Sequence, residues 1–186
     1  MFELSKKYYE QYLVKEISFQ EHRRKRIKAL FGDHLSNEAA DQLFNDYLTL
    51  YTRNWTSFED VIPCLNHLKD LGCRLGIISN GDNLQQIEKL EKLHIQDYFE
   101  CIITSSEVGV AKPNETIFLE ASKIANVNIK ECYYVGDQLE TDTIGSNFAG
   151  MIGIWLNRKQ VKRTNCDVKE IHHLLELDSI FHRKIT

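Results

Sequence analysis

Arg74-Leu75-Gly76-Ile77-Ile78-Ser79-Asn80-Gly81 is the stretch on which the fold turns. Its apolar run is too short for a helix and ends in a hydroxyl and a Ser-Asn-Gly turn, as in a strand buried on both faces. Three similar runs follow, at 101–104, 132–135 and 152–156. Helical periodicity fills the intervals, near Leu84 to Leu93, Asn114 to Ala125 and Thr141 to Ala149. Short apolar strands alternating with helices predict an α/β fold built on a Rossmann-like parallel sheet. A helix from about Phe58 to Leu71, with Pro63 near its first turn and Gly72 past its end, leads into the first strand. The tail, Val168 to Phe181, holds one further helix or strand, expected at the edge.

Residues 1 to 55 have a different texture. Tyr8, Tyr12 and Leu13 share a helical face, as do Ile27, Leu30 and Phe31; Leu43, Phe44, Tyr47 and Leu50 follow at the same spacing. Gly32-Asp33 breaks the pattern and Ser36 opens the next helix. The chain thus divides into a helical module, 1–55, and an α/β portion, 56–186. The basic run His22-Arg23-Arg24-Lys25-Arg26, with Lys28, reads as a solvated helix face tempered by Glu16 and Glu21 rather than as an anion patch.

Composition narrows the function. The chain is 42% hydrophobic and 27% charged with a formal net charge of -4, enough for a core and a poor footing for general nucleic-acid binding. Cys64, Cys73, Cys101, Cys132 and Cys166 form no Cys-x-x-Cys pair and read as reduced, buried thiols. The histidines, including His172-His173, lack zinc-site spacing and are expected mostly at the surface. Trp55 and Trp155 read as packing residues at element boundaries. No apolar run approaches the ~20 residues of a membrane span, and the first residues do not resemble a signal peptide. A cytoplasmic chain without membrane or nucleic-acid partners is expected.

Three segments carry chemistry. Gly136-Asp137 follows a strand, with a second acid at Asp142. Ligands of open parallel sheets bind beyond the carboxyl ends of the strands, where carboxylates can hold a hard cation such as magnesium. The Ser79 hydroxyl, beside the backbone of Asn80 and Gly81, can donate to a phosphoryl oxygen. Lys112 precedes Pro113, which disfavours helix at the lysine; its ammonium can offset phosphate charge. Taken singly, each has a plainer reading: a turn acid, a strand-to-helix turn, a surface lysine. Their order and their common placement at strand ends or helix starts favour the chemical one.

With their surroundings, Tyr98-Phe99, the run Ser106 to Pro113 and Asn147 to Met151, these segments resemble motifs II, III and IV of the haloacid dehalogenase (HAD) superfamily. The resemblance implies a magnesium-dependent phosphatase of small phosphorylated metabolites, nucleotide or sugar phosphates, with residues 1–55 as a helical cap. It also implies that Ser79, Asn80, Gly81 and Lys112 bind the phosphoryl group, Ser79 and Lys112 assisting catalysis. Asp137 and Asp142 would then serve the metal. The family's motif I, an Asp-x-Asp at the end of a central first strand, has no counterpart in this sequence. An N-terminally truncated member with impaired turnover and weak metal affinity is expected; the alternatives are a phosphoryl-binding pseudoenzyme and one part of a split enzyme. Without that strand its neighbours must pair directly, be bridged by another segment, or leave a gap open to self-association.

Overall fold

The computed structural model describes residues 2–163 and 167–181. Cys166 and the last residues of the expected α/β portion lie outside them. Three helices open the chain: α1 (Phe2–Leu13), α2 (Phe19–Phe31) and α3 (Asn37–Arg53). A capping box starts α2, Ser18 Oγ accepting from the Glu21 N–H while the Glu21 carboxylate accepts from the Ser18 N–H. Such a cap contributes about 1 kcal/mol. Ser36 caps α3 in the same way. Ile27, Ala40 and Phe44 form the apolar seam between α2 and α3.

The basic run on α2 is not a uniformly solvated face. His22 is buried, stacked on Tyr12 and Phe19, and Arg23 is half-buried between two phenyl rings. Arg24 pairs with Asp41 of α3 rather than with Glu16 or Glu21. Spacing within 22–28 hid this, because the apolar partners are Phe19 one turn earlier on α2, Tyr12 on α1 and Phe44 on α3.

The α/β portion runs α4 (Val61–Asp70), β1 (Gly76–Ser79), α5 (Asn83–Lys92), β2 (Cys101–Thr104), α6 (Ser105–Val108), α7 (Glu115–Ile124) and β3 (Tyr133–Gly136). A π-helical turn, Leu139–Ile144, then leads into α8 (Gly145–Ala149), followed by β4 (Ile152–Leu156), β5 (Lys169–Ile171) and α9 (Leu177–Phe181). Every strand pairing is parallel, so all strand C-termini share one rim. One face packs on Ile117, Phe118 and Ala121 of α7 with Ala149 and Met151; the other packs on Cys64 and Leu68 of α4 with Leu177. The four described cysteines are free thiols, and only Cys64 is buried outright.

The sheet is in two pieces. β1 pairs only with β2, while β3, β4 and β5 form a separate ladder. Of the three outcomes open for the strand neighbours, direct pairing does not occur: no backbone ladder joins β1 to β3 among the described residues. The Tyr134 hydroxyl on β3 instead donates to the Ile78 carbonyl on β1 at 2.9 Å, satisfying an acceptor that a neighbouring strand would otherwise use. Apart from exposed Gly76, the residues of both strands lining the gap are half-buried, while Gly153, Ile154 and Trp155 of β4, the middle strand of its ladder, are buried.

The tail docks through Asp60, just before α4. Its carboxylate accepts from both terminal nitrogens of Arg158 at 2.9 Å and from the Leu174 N–H at 2.8 Å. Trp55 and Trp155 are both buried, and His172 and His173 are exposed.

Candidate active site

Ser79 closes β1 opposite Thr104 of β2, and the chain turns through Asn80 and Gly81 into α5, whose first turn is capped by Asp82. Among the described residues nothing bonds the Ser79 hydroxyl, which is left half-buried at the rim. Asn80 is engaged through both ends of its amide. Its amide accepts from the Lys112 N–H at 2.7 Å and donates to the Lys112 carbonyl at 3.0 Å, pinning the lysine's backbone to the end of β1. The Gly81 N–H donates to Ser105 Oγ at 2.9 Å. The Gly81 N–H, expected to serve a phosphoryl group, is thus engaged within the loop, while Asn80 both holds the loop and keeps one amide N–H.

Lys112 reaches from this loop across the gap. Its ammonium donates to Asp142 Oδ1 and to the Tyr134 hydroxyl, each at 2.7 Å. An ammonium has three donors, so one remains for a ligand. The pair is largely buried, with side chains 10% and 6% exposed. Asp142 is doubly engaged, since Oδ2 accepts from the Gln138 N–H at 3.0 Å. Gly136 makes this approach feasible: a Cβ there would meet the Asp142 side chain at 2.4 Å, far inside contact distance. Asp137, one residue on, is exposed; its carbonyl accepts from Trp155 Nε1 and its carboxylate has only a long contact from Gln138. Burial, then the charges of Asp142 and Asp137, raise the Tyr134 phenol well above its ordinary range, so it stays protonated as a donor to Ile78.

Ser79, Lys112, Asp137 and Asp142 thus converge on one rim, linked through Asn80, Tyr134 and Gln138. Tyr134 escaped the sequence reading, in which it was one more strand residue. The available signal was strand alternation, which puts Tyr133 and Tyr134 on opposite faces. For a cation, Asp137 offers an open carboxylate, whereas both oxygens of Asp142 already have protein donors. No cluster of three or more His, Cys, Asp or Glu side chains suited to a metal ion occurs among the described residues. A hollow along the outer edge of β2, lined by Cys101, Glu107 and Thr116, gathers no comparable set of donors. No helix among the described residues is long and apolar enough to cross a membrane.

Helix α1 contacts the α/β portion at the starts of α6 and α5, Tyr9 meeting Ser105 Oγ and the Tyr12 hydroxyl donating to Asp82 at 3.3 Å.

A family profile described as "Haloacid dehalogenase-like hydrolase" matches residues 2–156. The chain is 42% identical over 101 residues to a glyceraldehyde 3-phosphate phosphatase of Methanopyrus kandleri, covering 54% of this chain and 43% of that protein. It is 38% identical over 103 residues to the pyrimidine 5'-nucleotidase YjjG of Escherichia coli, covering 55% and 45%. The crystal structure of a HAD phosphatase from Thermococcus onnurineus superposes with a TM-score of 0.64 at 26% identity, covering 92% and 91%. The chain spans about half the length of the curated relatives it matches.

Proposed function

The chain belongs to the haloacid dehalogenase-like hydrolases, and on that footing we propose that its rim binds the phosphoryl group of a small phosphorylated metabolite, a sugar phosphate or a nucleotide. The observation that carries this reading is the Lys112 ammonium, held by Asp142 and Tyr134 with one donor to spare, on the same rim as the unpartnered Ser79 hydroxyl. A buried, oriented cation and a free hydroxyl are the electrostatic parts that phosphoryl recognition requires. The names of the two relatives favour phosphate monoesters. In this reading residues 1–55 act as a cap over the site, in keeping with the α1 contacts to Asp82 and Ser105.

Asp137 is the residue that would hold magnesium. The ion commonly takes one or two protein carboxylates and fills its remaining positions with water and phosphate oxygens. When bound, it would neutralise charge on the phosphoryl group. Asp142 serves this arrangement through Lys112, whose orientation it fixes. With a single open carboxylate, metal affinity is expected to be weak.

The sequence holds no Asp-x-Asp, so binding without efficient turnover is the expected behaviour. Phosphate-monoester hydrolysis needs accelerations up to ~10²¹-fold, and the one open carboxylate of the rim, Asp137, is assigned to the metal in this reading, which leaves no second carboxylate free to attack phosphorus. The gap between β1 and β3 favours a second reading, in which a strand ending in a carboxylate pairs between them and completes an enzyme. Calorimetric titration with inorganic phosphate and magnesium is expected to show saturable binding, with no phosphate released from p-nitrophenyl phosphate. Turnover gained on adding an Asp-x-Asp strand peptide would favour the second reading. Absence of phosphate binding, or robust turnover by the chain alone that is lost in Asp137→Ala, would overturn the first.

A further inference from the structure

We propose that Arg23 is the cap's specificity residue, donating to an oxygen acceptor that the substrate carries beyond its phosphate ester. The inference rests on the phosphoryl-binding reading above and adds what the rest of the substrate must offer.

Arg23 differs from the other cations of its run. Arg24 is spent on Asp41, Lys28 donates to Asn37, and Lys25 lies over the Tyr8 ring. Arg26 also lacks an acceptor among the described residues, but none of its nitrogens is both buried and unpartnered. The Arg23 guanidinium carbon sits 4.1 Å from the centroid of Phe19 and 4.6 Å from that of Phe44, so its position is fixed by two rings. Its Nε is buried and has no hydrogen-bond partner. Among the described residues no group accepts from any of its nitrogens. A guanidinium has donors only, and a buried donor without a partner costs about 1–3 kcal/mol. A long side chain serving only to fill space between Phe19 and Phe44 would not need that cost.

Its surroundings point to the rim. Phe19, under the Arg23 guanidinium, packs on Tyr12 with centroids 5.0 Å apart, and the Asp82 carboxylate favours the Arg23 charge against burial, which is the larger effect and lowers its pKa. Tyr12 bonds Asp82, which caps α5 three residues after Ser79. Beside Arg23 stands His22, with an Nδ1 that also lacks a partner. Burial, then the charges of Arg26 and Arg23, bring the His22 pKa down to about 4, so the ring is neutral at pH 7. The face that the cap turns toward Asp82 therefore offers an oriented cation and a neutral imidazole. The Asp82 carboxylate already faces this cation and disfavours a second full anion beside it. A neutral acceptor, a hydroxyl or carbonyl oxygen or the oxo group of a base, fits this environment.

The test compares calorimetric affinities of the wild-type chain and of Arg23→Met for three probes: inorganic phosphate, n-propyl phosphate and glycerol 3-phosphate. The last two differ in the hydroxyl acceptors that only the glycerol ester carries. The wild-type chain is expected to prefer the glycerol ester by about tenfold or more, as befits one charge-assisted hydrogen bond. Arg23→Met is expected to erase that preference while inorganic phosphate binds as before, and Arg23→Lys to restore only part of it. A preference that survives in Arg23→Met, or a wild-type chain that binds phosphate with no preference, overturns the assignment alone. Loss of inorganic-phosphate affinity in a folded Arg23→Met chain, checked by its melting curve, also overturns it, because the effect would then be structural. Failure of the wild-type chain to bind any of the three overturns the phosphoryl-binding reading together with it.

Discussion

Lys112→Ala is expected to abolish phosphate binding and to destabilise the chain by about 3 kcal/mol, the low end for removing one partner from a buried ion pair. The low end applies because Asp142 keeps its bond from the Gln138 N–H and so is not wholly unsatisfied. The loss is larger than a surface salt bridge would give, since both side chains are largely shielded from water. Adding Asp142→Asn to Lys112→Ala should recover much of the stability, because the stranded charge is gone, but none of the phosphate affinity. Denaturant unfolding of the two single variants and the double variant measures this coupling. Two single losses that simply add would show that the pair is not coupled as described.

Arg158→Ala is expected to be at least as damaging, by about 3–5 kcal/mol or roughly 10 °C in melting temperature. It strands Asp60, whose side chain is only 1% exposed and which ties the tail to α4. The acid side of the stability curve gives a sharper signature. Burial alone would raise the Asp60 pKa, but Arg158 and the Leu174 N–H outweigh it and hold the carboxyl below its ordinary range. A depressed folded pKa contributes stability that is present above the unfolded value, near 3.9, and is lost as pH falls through the folded one. In Arg158→Ala burial is left in command and the folded pKa rises. Acidification through the ordinary carboxylate range then protonates the folded state more readily and lessens the penalty of the substitution. Thermal melts from pH 3 to 7 should show the gap between wild type and variant narrowing toward low pH. A gap that stays constant would show that Asp60 is not the group involved.

Much of the architecture was legible in the chain because buried strands and amphipathic helices write simple periods. The second and fourth strands fall where the apolar runs at 101–104 and 152–156 place them. The first ladder begins at Gly76 rather than at Arg74, whose guanidinium instead binds Glu100 and the Ala125 carbonyl. The third strand shifts by one residue, to Tyr133–Gly136, because the Cys132 N–H still bonds back to Ile129. β5, Lys-Glu-Ile, has one buried residue and no readable period; only its place at the sheet edge permits such a polar strand.

The site was legible as a set of residues but not as a network. Ser79, Lys112, Asp137 and Asp142 were named from their types and from the strand ends they follow. The Lys112–Asp142 pair spans 30 residues, and Asn80 to Lys112 spans 32, so no local pattern encodes either contact. Arg23 shows the opposite limit. In sequence it is one cation among five neighbours, and only the rings of Phe19 and Phe44 separate it from a solvated one.

Whether these groups form one phosphoryl-binding site is decided by a crystal structure of the chain with tungstate, a phosphate mimic, and magnesium. The anion is expected within hydrogen-bond distance, about 3 Å, of both Ser79 Oγ and Lys112 Nζ, with the cation beside Asp137. An anion bound elsewhere, with the Lys112–Asp142 pair undisturbed and Ser79 facing only water, would rule the shared site out.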